Sequence, residues 1–204
     1  MFTELFIRGL VIGFAVAAPV GPIGMLVINR TLTEGRLSGL ATGLGAAVAD
    51  TLYGCVGAFG LTFISNLLMG YALWTKLLGG LFLCYLGIKT IRARPGENSA
   101  AASRVHPVVA FSTAVLLTLA NPLTILMFMA VFAGLGFGSG SGSYGTAAVA
   151  VAGVFTGSTL WWLILTEGLS LLRHRLAPKT IRWIDLGSGA LLFLFGATAV
   201  LSLI

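Results

Sequence analysis

Six long apolar runs constrain this chain more than any other feature of its sequence. A helix needs about 20 residues to cross a hydrocarbon core roughly 30 Å thick, and each run is at least that long. The runs are continuous and rich in Leu, Ala and Gly, without the ten-residue alternation of a membrane β-barrel. They cover residues 5–28, 38–64, 67–91, 108–133, 146–172 and 183–203. The sequence therefore predicts an all-α polytopic membrane protein with six transmembrane helices, numbered here as predicted helices 1 to 6.

The distribution of charge predicts how these helices are oriented. Apolar residues make up 57% of the chain and charged residues 9%, a composition typical of membrane proteins. Ten of the twelve Lys and Arg residues follow predicted helices 1, 3 and 5, whereas residues 64–71 and 134–145, after helices 2 and 4, carry no charge. By the positive-inside rule the basic connections are cytoplasmic. We therefore expect a multi-pass protein of the plasma (inner) membrane, with both termini outside, the lipid bilayer as its surroundings and no nucleic-acid partner.

The sequence contains signs of an internal repeat. A polar segment at 92–107 separates three predicted helices in residues 1–91 from three in residues 108–204. Because each unit has an odd number of helices, the second would enter the membrane from the opposite side. The sequence thus predicts two inverted three-helix repeats, an architecture of secondary transporters. At offsets of 103, 108 and 109 residues, the matching positions are Pro19 with Pro122, Asp50 with Ser158, Tyr53 with Trp161, Trp74 with Trp183, Gly80 with Gly189, and Gly87 with Gly196.

Prolines interrupt two of the predicted helices at matching repeat positions. Pro19 and Pro22 flank Gly21 in helix 1, and Asn121 precedes Pro122 near the middle of helix 4. Proline removes a backbone hydrogen bond, so a half-helix can begin within the membrane and hold an anion at its positive end. The alternative is a simple kink, since Gly and Pro are frequent in membrane helices. The paired positions favour substrate binding at these five residues.

Asp50 is a lone carboxylate expected near the middle of the membrane, about 21 Å along predicted helix 2 from its cytoplasmic end. An ionisable group at this depth is costly unless paired, hydrated or protonated, and such groups usually mark ion or proton pathways. We expect Asp50 to couple transport to protons. The alternative is a structural carboxyl that bonds Tyr53 or Thr51. The repeat adds Ser158, Trp161 and Tyr53 as candidate substrate-binding residues.

Other charged residues near helix ends are expected at the membrane interface. Glu167 lies towards the cytoplasmic end of predicted helix 5, and Asp185 begins helix 6 together with Arg182. Lys76 lies near the outer start of helix 3, where its ammonium can extend to water. None of them is predicted as a site residue.

The chain lacks motifs for catalysis, ATP hydrolysis or metal binding. It has no P-loop, GxSxG, HExxH or dinucleotide-binding fingerprint. His106 and His174 are isolated, and Cys55 and Cys84 lie in separate apolar runs without a CxxC pair. The sequence therefore predicts neither an enzyme nor a cofactor or metal site.

Several tracts resemble the LysE/RhtB family of amino-acid exporters over essentially the whole chain. They are Pro19-Val-Gly-Pro22, the glycine-rich tract from Asn29 to Asp50, and Asn121-Pro122. The resemblance implies export of amino acids or related metabolites driven by the proton-motive force, with substrate bound at the two helix breaks and Asp50 coupling protons. Many relatives carry Asn or Gln where this chain has Ile23-Gly24, and Lys where it has Leu123. The implied substrate is therefore amino-acid-like without being a basic amino acid in particular.

We accordingly interpret the chain as a secondary transporter that exchanges a small amino-acid-like solute for protons. One alternative is a thiol redox carrier, which requires Cys55 and Cys84 to meet. The other is a passive channel, which uphill and uncoupler-sensitive efflux would exclude. The sequence leaves open the substrate, the stoichiometry and the oligomeric state, a homo-oligomer included.

Overall fold

The structure is a computed structural model that describes residues 1–19, 21–59, 70–92, 105–121, 124, 127–128, 144–173 and 176–203. Within those residues every regular element is an α-helix, which confirms the all-α fold class. The helices are α1 (Phe2–Ala17), α2 (Pro22–Thr33), α3 (Arg36–Ala58), α4 (Ala72–Arg92), α5 (Pro107–Leu119), α6 (Tyr144–Arg173) and α7 (Pro178–Leu201).

Predicted helix 1 is interrupted at its proline pair. The helix α1 ends at Ala17, α2 begins at Pro22, and the two axes meet at an angle of 78°. Gly21 caps α2 in an extended conformation, and Pro22 occupies the first helical position, where no backbone N–H is needed. The residues that cause the break, Gly21 and Pro22, thus lie at the break itself.

Three of the described helices are long and apolar enough to cross a membrane, namely α3, α6 and α7, and α1 with α2 makes a fourth if the bent pair is one span. These correspond to predicted helices 2, 5, 6 and 1. Predicted helix 3 corresponds to α4, and predicted helix 4 corresponds at its start to α5 but continues into residues that lie mostly outside the described ones. Most of the predicted linker at 92–107 also lies outside them, so the six-helix count stays a prediction.

Helices α4 and α7 approach so closely that their backbones touch at glycines. A Cβ atom at Gly80 would lie 3.0 Å from the carbonyl oxygen of Gly196, and one at Gly87 would lie 2.6 Å from that of Gly189. Small residues at such crossings permit the close packing by which membrane helices associate. The same principle applies between α1 and α6, where a Cβ at Gly13 would lie 2.8 Å from the Cα of Val154.

Helix α3 is the most enclosed of the membrane-crossing candidates, because α5 packs on one side of it and α6 on the other. A Cβ at Gly43 would lie 2.6 Å from the Cβ of Trp162 in α6, and one at Gly45 would lie 3.1 Å from the Cβ of Ala114 in α5. The middle of α3 is consequently buried, and Asp50 lies in that part.

Arg30 does not lie in a connection, as the predicted end of helix 1 at residue 28 implied. Helix α2 continues to Thr33, which places Arg30 in its last turn, 4% exposed between α3 and α5. Its guanidinium donates to Thr42 Oγ1 and to the carbonyl oxygen of Ala110, each at 3.1 Å. Arg30 therefore fastens three helices together instead of lying free at the membrane surface.

Candidate functional site

A cavity of about 660 Å³ lies beside the break between α1 and α2. Most of its lining side chains are apolar and a few are polar, which is typical of a small-molecule site. Five of the residues predicted from the sequence line it: Pro19, Gly21, Pro22, Asp50 and Asn121. The structure thus brings the helix break, the C-terminal end of α5 and the buried carboxylate to one cavity.

Among the described residues, Asp50 is bonded by one hydroxyl, on the neighbouring helix. Ser158 Oγ in α6 donates to Asp50 Oδ2 at 2.7 Å, and Asp50 is only 4% exposed while Ser158 is fully buried. Hydrogen bonds to an ionised acceptor are among the stronger ones, so this bond ties α3 to α6 where they cross. Asp50 reaches the cavity, whereas Ser158 lies behind it.

Tyr53 and Trp161 also lie behind the cavity wall. The hydroxyl of Tyr53 donates to the carbonyl oxygen of Leu119 at 2.6 Å, and Leu119 is the last residue of α5. The last carbonyls of a helix have no partner within it, so Tyr53 anchors the end of α5 to α3. Trp161 packs edge-on against Phe14 in α1, with ring centroids 5.2 Å apart. Pro122 lies outside the described residues.

The lining also includes residues that were not predicted as site residues, among them Thr118, Trp162 and Lys76. The Oγ1 atom of Thr118 and the Nε1 atom of Trp162 are buried and have no hydrogen-bond partner among the described residues. Such atoms are uncommon in folded proteins, and the hydroxyls of Thr159 and Thr166, away from the cavity, are two more among the described residues. Thr118 could have been found from its place one turn before Asn121, and Trp162 from its place beside Trp161. Lys76, expected at the outer interface, is half-buried in the cavity wall.

A second buried polar cluster joins α2 to α7. Asn29 Nδ2 donates to Asp185 Oδ1 at 2.9 Å and to Ser188 Oγ at 3.0 Å, and all three residues are buried. Asp185 is therefore not the exposed helix-end charge that its sequence position indicated. The helix α7 begins at Pro178, five residues before the predicted start at 183, so Asp185 lies two turns inside it. The cluster is separate from the cavity lining.

Charged side chains connect α2, α3 and α6 at the end of the bundle that carries the basic connections. Arg36 Nη2 lies 2.6 Å from Glu167 Oε1, and Arg173 Nη2 donates to the carbonyl oxygen of Thr33 at 3.2 Å. The hydroxyl of Ser38 donates to the Glu34 carboxylate, and burial raises the pKa of Glu34 above its ordinary value. These contacts link the three helices at this end of the bundle.

Within the part of the chain that the structure describes, no group of His, Cys, Asp and Glu side chains could hold a metal ion. Cys55 and Cys84 are free thiols, and neither lines the cavity. The thiol of Cys84 lies instead 3.7 Å from the carbonyl oxygen of Phe193, at the α4–α7 contact.

Comparison with known proteins covers nearly the whole chain. Residues 14–203 match the family model described as LysE type translocator. The putative amino acid efflux protein YcgF of Bacillus subtilis is 28% identical over 95% of this chain and 93% of its own. The threonine efflux protein of Salmonella typhi is 27% identical over 89% of this chain and 90% of its own, and the uncharacterized membrane protein YahN of Escherichia coli is 27% identical over 72% and 66%. No solved structure matches the chain.

Proposed function

Because the chain belongs to the LysE family of translocators and is a transporter, not an enzyme, we propose that it exports an amino acid or a related small metabolite in exchange for protons. The observation that carries this proposal is one cavity that joins a helix break to a buried carboxylate, Asp50. The relatives named as amino acid and threonine efflux proteins support the substrate class.

The first turn of α2 is the proposed site for the carboxylate of the substrate. Gly21, Pro22, Ile23 and Gly24 all line the cavity. The first backbone N–H groups of a helix have no partner within it, and together with the helix dipole they carry about half a positive charge. A carboxylate bound there would satisfy these donors, as anions commonly do at helix N-termini.

Asp50 is the proposed coupling residue, because it can bind either a proton or the ammonium group of the substrate. Because Asp50 is buried, an unpaired negative charge on its carboxylate is costly. Loss of the proton therefore favours binding of the substrate ammonium, and loss of the substrate favours binding of a proton. Protons arriving from outside would displace the substrate, and substrate arriving from the cytoplasm would displace the proton. This competition is sufficient for antiport at a single site.

Two features of the packing support an inverted repeat of residues 1–91 and 108–204 about the linker at 92–107. Shifting the contact between Gly80 and Gly196 by the repeat offset of 109 gives Gly189 and Gly87, which also touch. Asp50 bonds Ser158, its own repeat equivalent. Both relations are what a two-fold axis in the membrane plane requires. Such repeats provide the inward-open and outward-open states of alternating access.

The cavity lies towards the proposed outer side. Its wall includes Lys76 and Gly80 in the first half of α4, and Thr198 and Ser202 at the C-terminal end of α7, away from the basic connections. The cluster around Asn29 and the ion pair between Arg36 and Glu167 join the helices at the other end. If the basic end is cytoplasmic and both termini are outside, as we propose, this cavity opens towards the outside of the plasma membrane.

Efflux from proteoliposomes tests the proposal. Vesicles preloaded with a panel of amino acids are compared with and without a pH gradient, for the wild type, Asp50→Asn, and Asp185→Asn as a control for a buried aspartate outside the cavity. We expect gradient-dependent, uphill efflux of at least one amino acid, retained in Asp185→Asn and lost in Asp50→Asn. Uphill movement also excludes a channel, and full activity of the Cys55→Ser, Cys84→Ser double variant excludes the redox alternative.

Two outcomes would contradict the proposal. If no amino acid moves although the protein is folded in the membrane, the substrate class is wrong. If Asp50→Asn retains the dependence on the pH gradient, the coupling role of Asp50 is wrong.

A further inference from the structure

Lys76 places a cation in the cavity wall without a counterion from the described residues. It lies in the second turn of α4 and is half-buried. The ion pairs within the described ranges join Arg8 to Glu4 and Arg36 to Glu167, and neither involves Lys76. An ionisable side chain that lines an interior cavity of a membrane protein usually contacts what passes through it.

The cavity has two charged poles. Of the described residues that line it, only Lys76 and Asp50 are charged. The end of α5 contacts both helices that carry them, because Tyr53 on α3 bonds Leu119, while a Cβ at Gly79 on α4 would lie 3.0 Å from the Cβ of Ala120. The two charges therefore reach the cavity from different helices, α3 and α4. A solute with one positive and one negative group fits this arrangement better than a cation alone.

Two further observations concern the polar wall. Thr118, a residue only 4% exposed, lines the same cavity, and its Oγ1 atom is buried without a hydrogen-bond partner among the described residues. In the proposed repeat, Lys76 occupies the position of Asp185, at an offset of 109 residues. Asp185 is satisfied by Asn29 and buried, whereas Lys76 faces the cavity.

We propose that Lys76 binds the carboxylate of the transported solute together with the N-terminus of α2, and so restricts transport to amino carboxylates. This inference rests on the proposed function and narrows its substrate class, since amines and amino-acid amides lack the group that Lys76 recognises. The helix end supplies a partial charge and fixed N–H donors, and the ammonium adds a full charge on a flexible stem. Asp50 then faces the ammonium group of the same solute.

Competition binding to the purified protein in detergent micelles tests this role without the complication of passive permeation. The probes are the amino acid with the fastest efflux in the panel and its carboxamide. A charge-assisted hydrogen bond corresponds to about 10- to 100-fold in affinity, so we expect the wild type to prefer the free acid by that factor. In Lys76→Met and Lys76→Gln the preference should fall to about threefold or less, while Lys76→Arg retains most of it.

Lys89→Met is the matched control, because Lys89 lies on the same helix at the exposed end away from the cavity. It should keep the wild-type preference. The inference is overturned if the folded Lys76→Met or Lys76→Gln variant keeps the full preference for the free acid, or if Lys89→Met loses as much as they do. A wild-type protein that binds and moves no amino acid would overturn the proposed function itself, and this inference with it.

Discussion

Replacing Gly196 by alanine should separate α4 from α7 and lower stability. The added Cβ would lie 2.5 Å from the carbonyl oxygen of Gly80 and 2.7 Å from the backbone nitrogen of Cys84, whereas ordinary van der Waals contact begins at 3.4 Å. Both neighbours are backbone atoms, so the helices must move apart by about 0.9 Å. Overpacking of this kind costs about 1–3 kcal/mol, and alanine returns up to about 1 kcal/mol in helix propensity. We expect a net loss of about 1–2 kcal/mol.

Two further alanine variants test whether the loss of stability follows the distance from the added Cβ to the opposite helix. Gly87→Ala, at the repeat-equivalent position, would place its Cβ 2.6 Å from the carbonyl oxygen of Gly189, so its loss should match that of Gly196→Ala. Gly187 lies on the same helix as Gly196, but a Cβ there would meet no atom within 4 Å. Gly187→Ala should therefore be neutral or stabilising by up to about 1 kcal/mol.

Denaturant unfolding of the purified variants in detergent micelles measures these differences. Near-equal losses in Gly196→Ala and Gly87→Ala, with none in Gly187→Ala, would agree with the geometry. The reasoning is refuted if Gly187→Ala and Gly196→Ala change the free energy of unfolding to the same extent, because only one of them contacts the opposite backbone.

Three other predictions concern the polar contacts. Asn29→Ala should lower the free energy of unfolding by about 1–3 kcal/mol, because the buried Asp185 loses its amide donor; a double-mutant cycle with Asp185→Ala measures the coupling, and strict additivity would contradict it. Burial raises the pKa of Glu34 above 4.5, so the folded state binds more protons than the unfolded state, and stability falls as the pH rises from 4.5 through that raised pKa. Glu34→Gln should flatten this slope in unfolding experiments across acidic to neutral pH, and an unchanged slope would show that other groups cause it. Ser158→Ala should slow gradient-driven efflux by about tenfold, since Asp50 loses its hydroxyl donor; efflux at the wild-type rate would remove Ser158 from the coupling mechanism.

The features that the sequence predicted well are those with local causes. A proline acts on its own helix, so the break at Pro19 and Pro22 could be placed to within a few residues. The bond between Asp50 and Ser158 is not local, and the sequence did not predict it. The offset of 108 residues only aligned the two as proposed repeat equivalents, and the contacts considered for Asp50 were Tyr53 and Thr51.

Features that depend on contacts with neighbouring helices could not be predicted from the sequence. Asp185 was expected at a helix end because its helix was predicted to start five residues too late. A lysine near a helix end can extend to water or line a cavity, and only the surrounding helices show that Lys76 also lines one. The family resemblance places a cation where this chain has Leu123, whereas the cavity receives its cation from α4.

The bond between Asp50 and Ser158 also bears on the resting conformation of the empty protein. If the two proposed repeats exchange roles between states, a fully symmetric protein would populate both conformations equally when empty. In such a protein, one carboxylate faced by one hydroxyl would remove that equality, because Asp50 stays on the same repeat while the shapes of the repeats exchange. Each 1.4 kcal/mol of the resulting difference shifts the ratio of the two populations by about tenfold. A chain that began as a duplication would thereby gain a resting orientation from a single unmatched side chain.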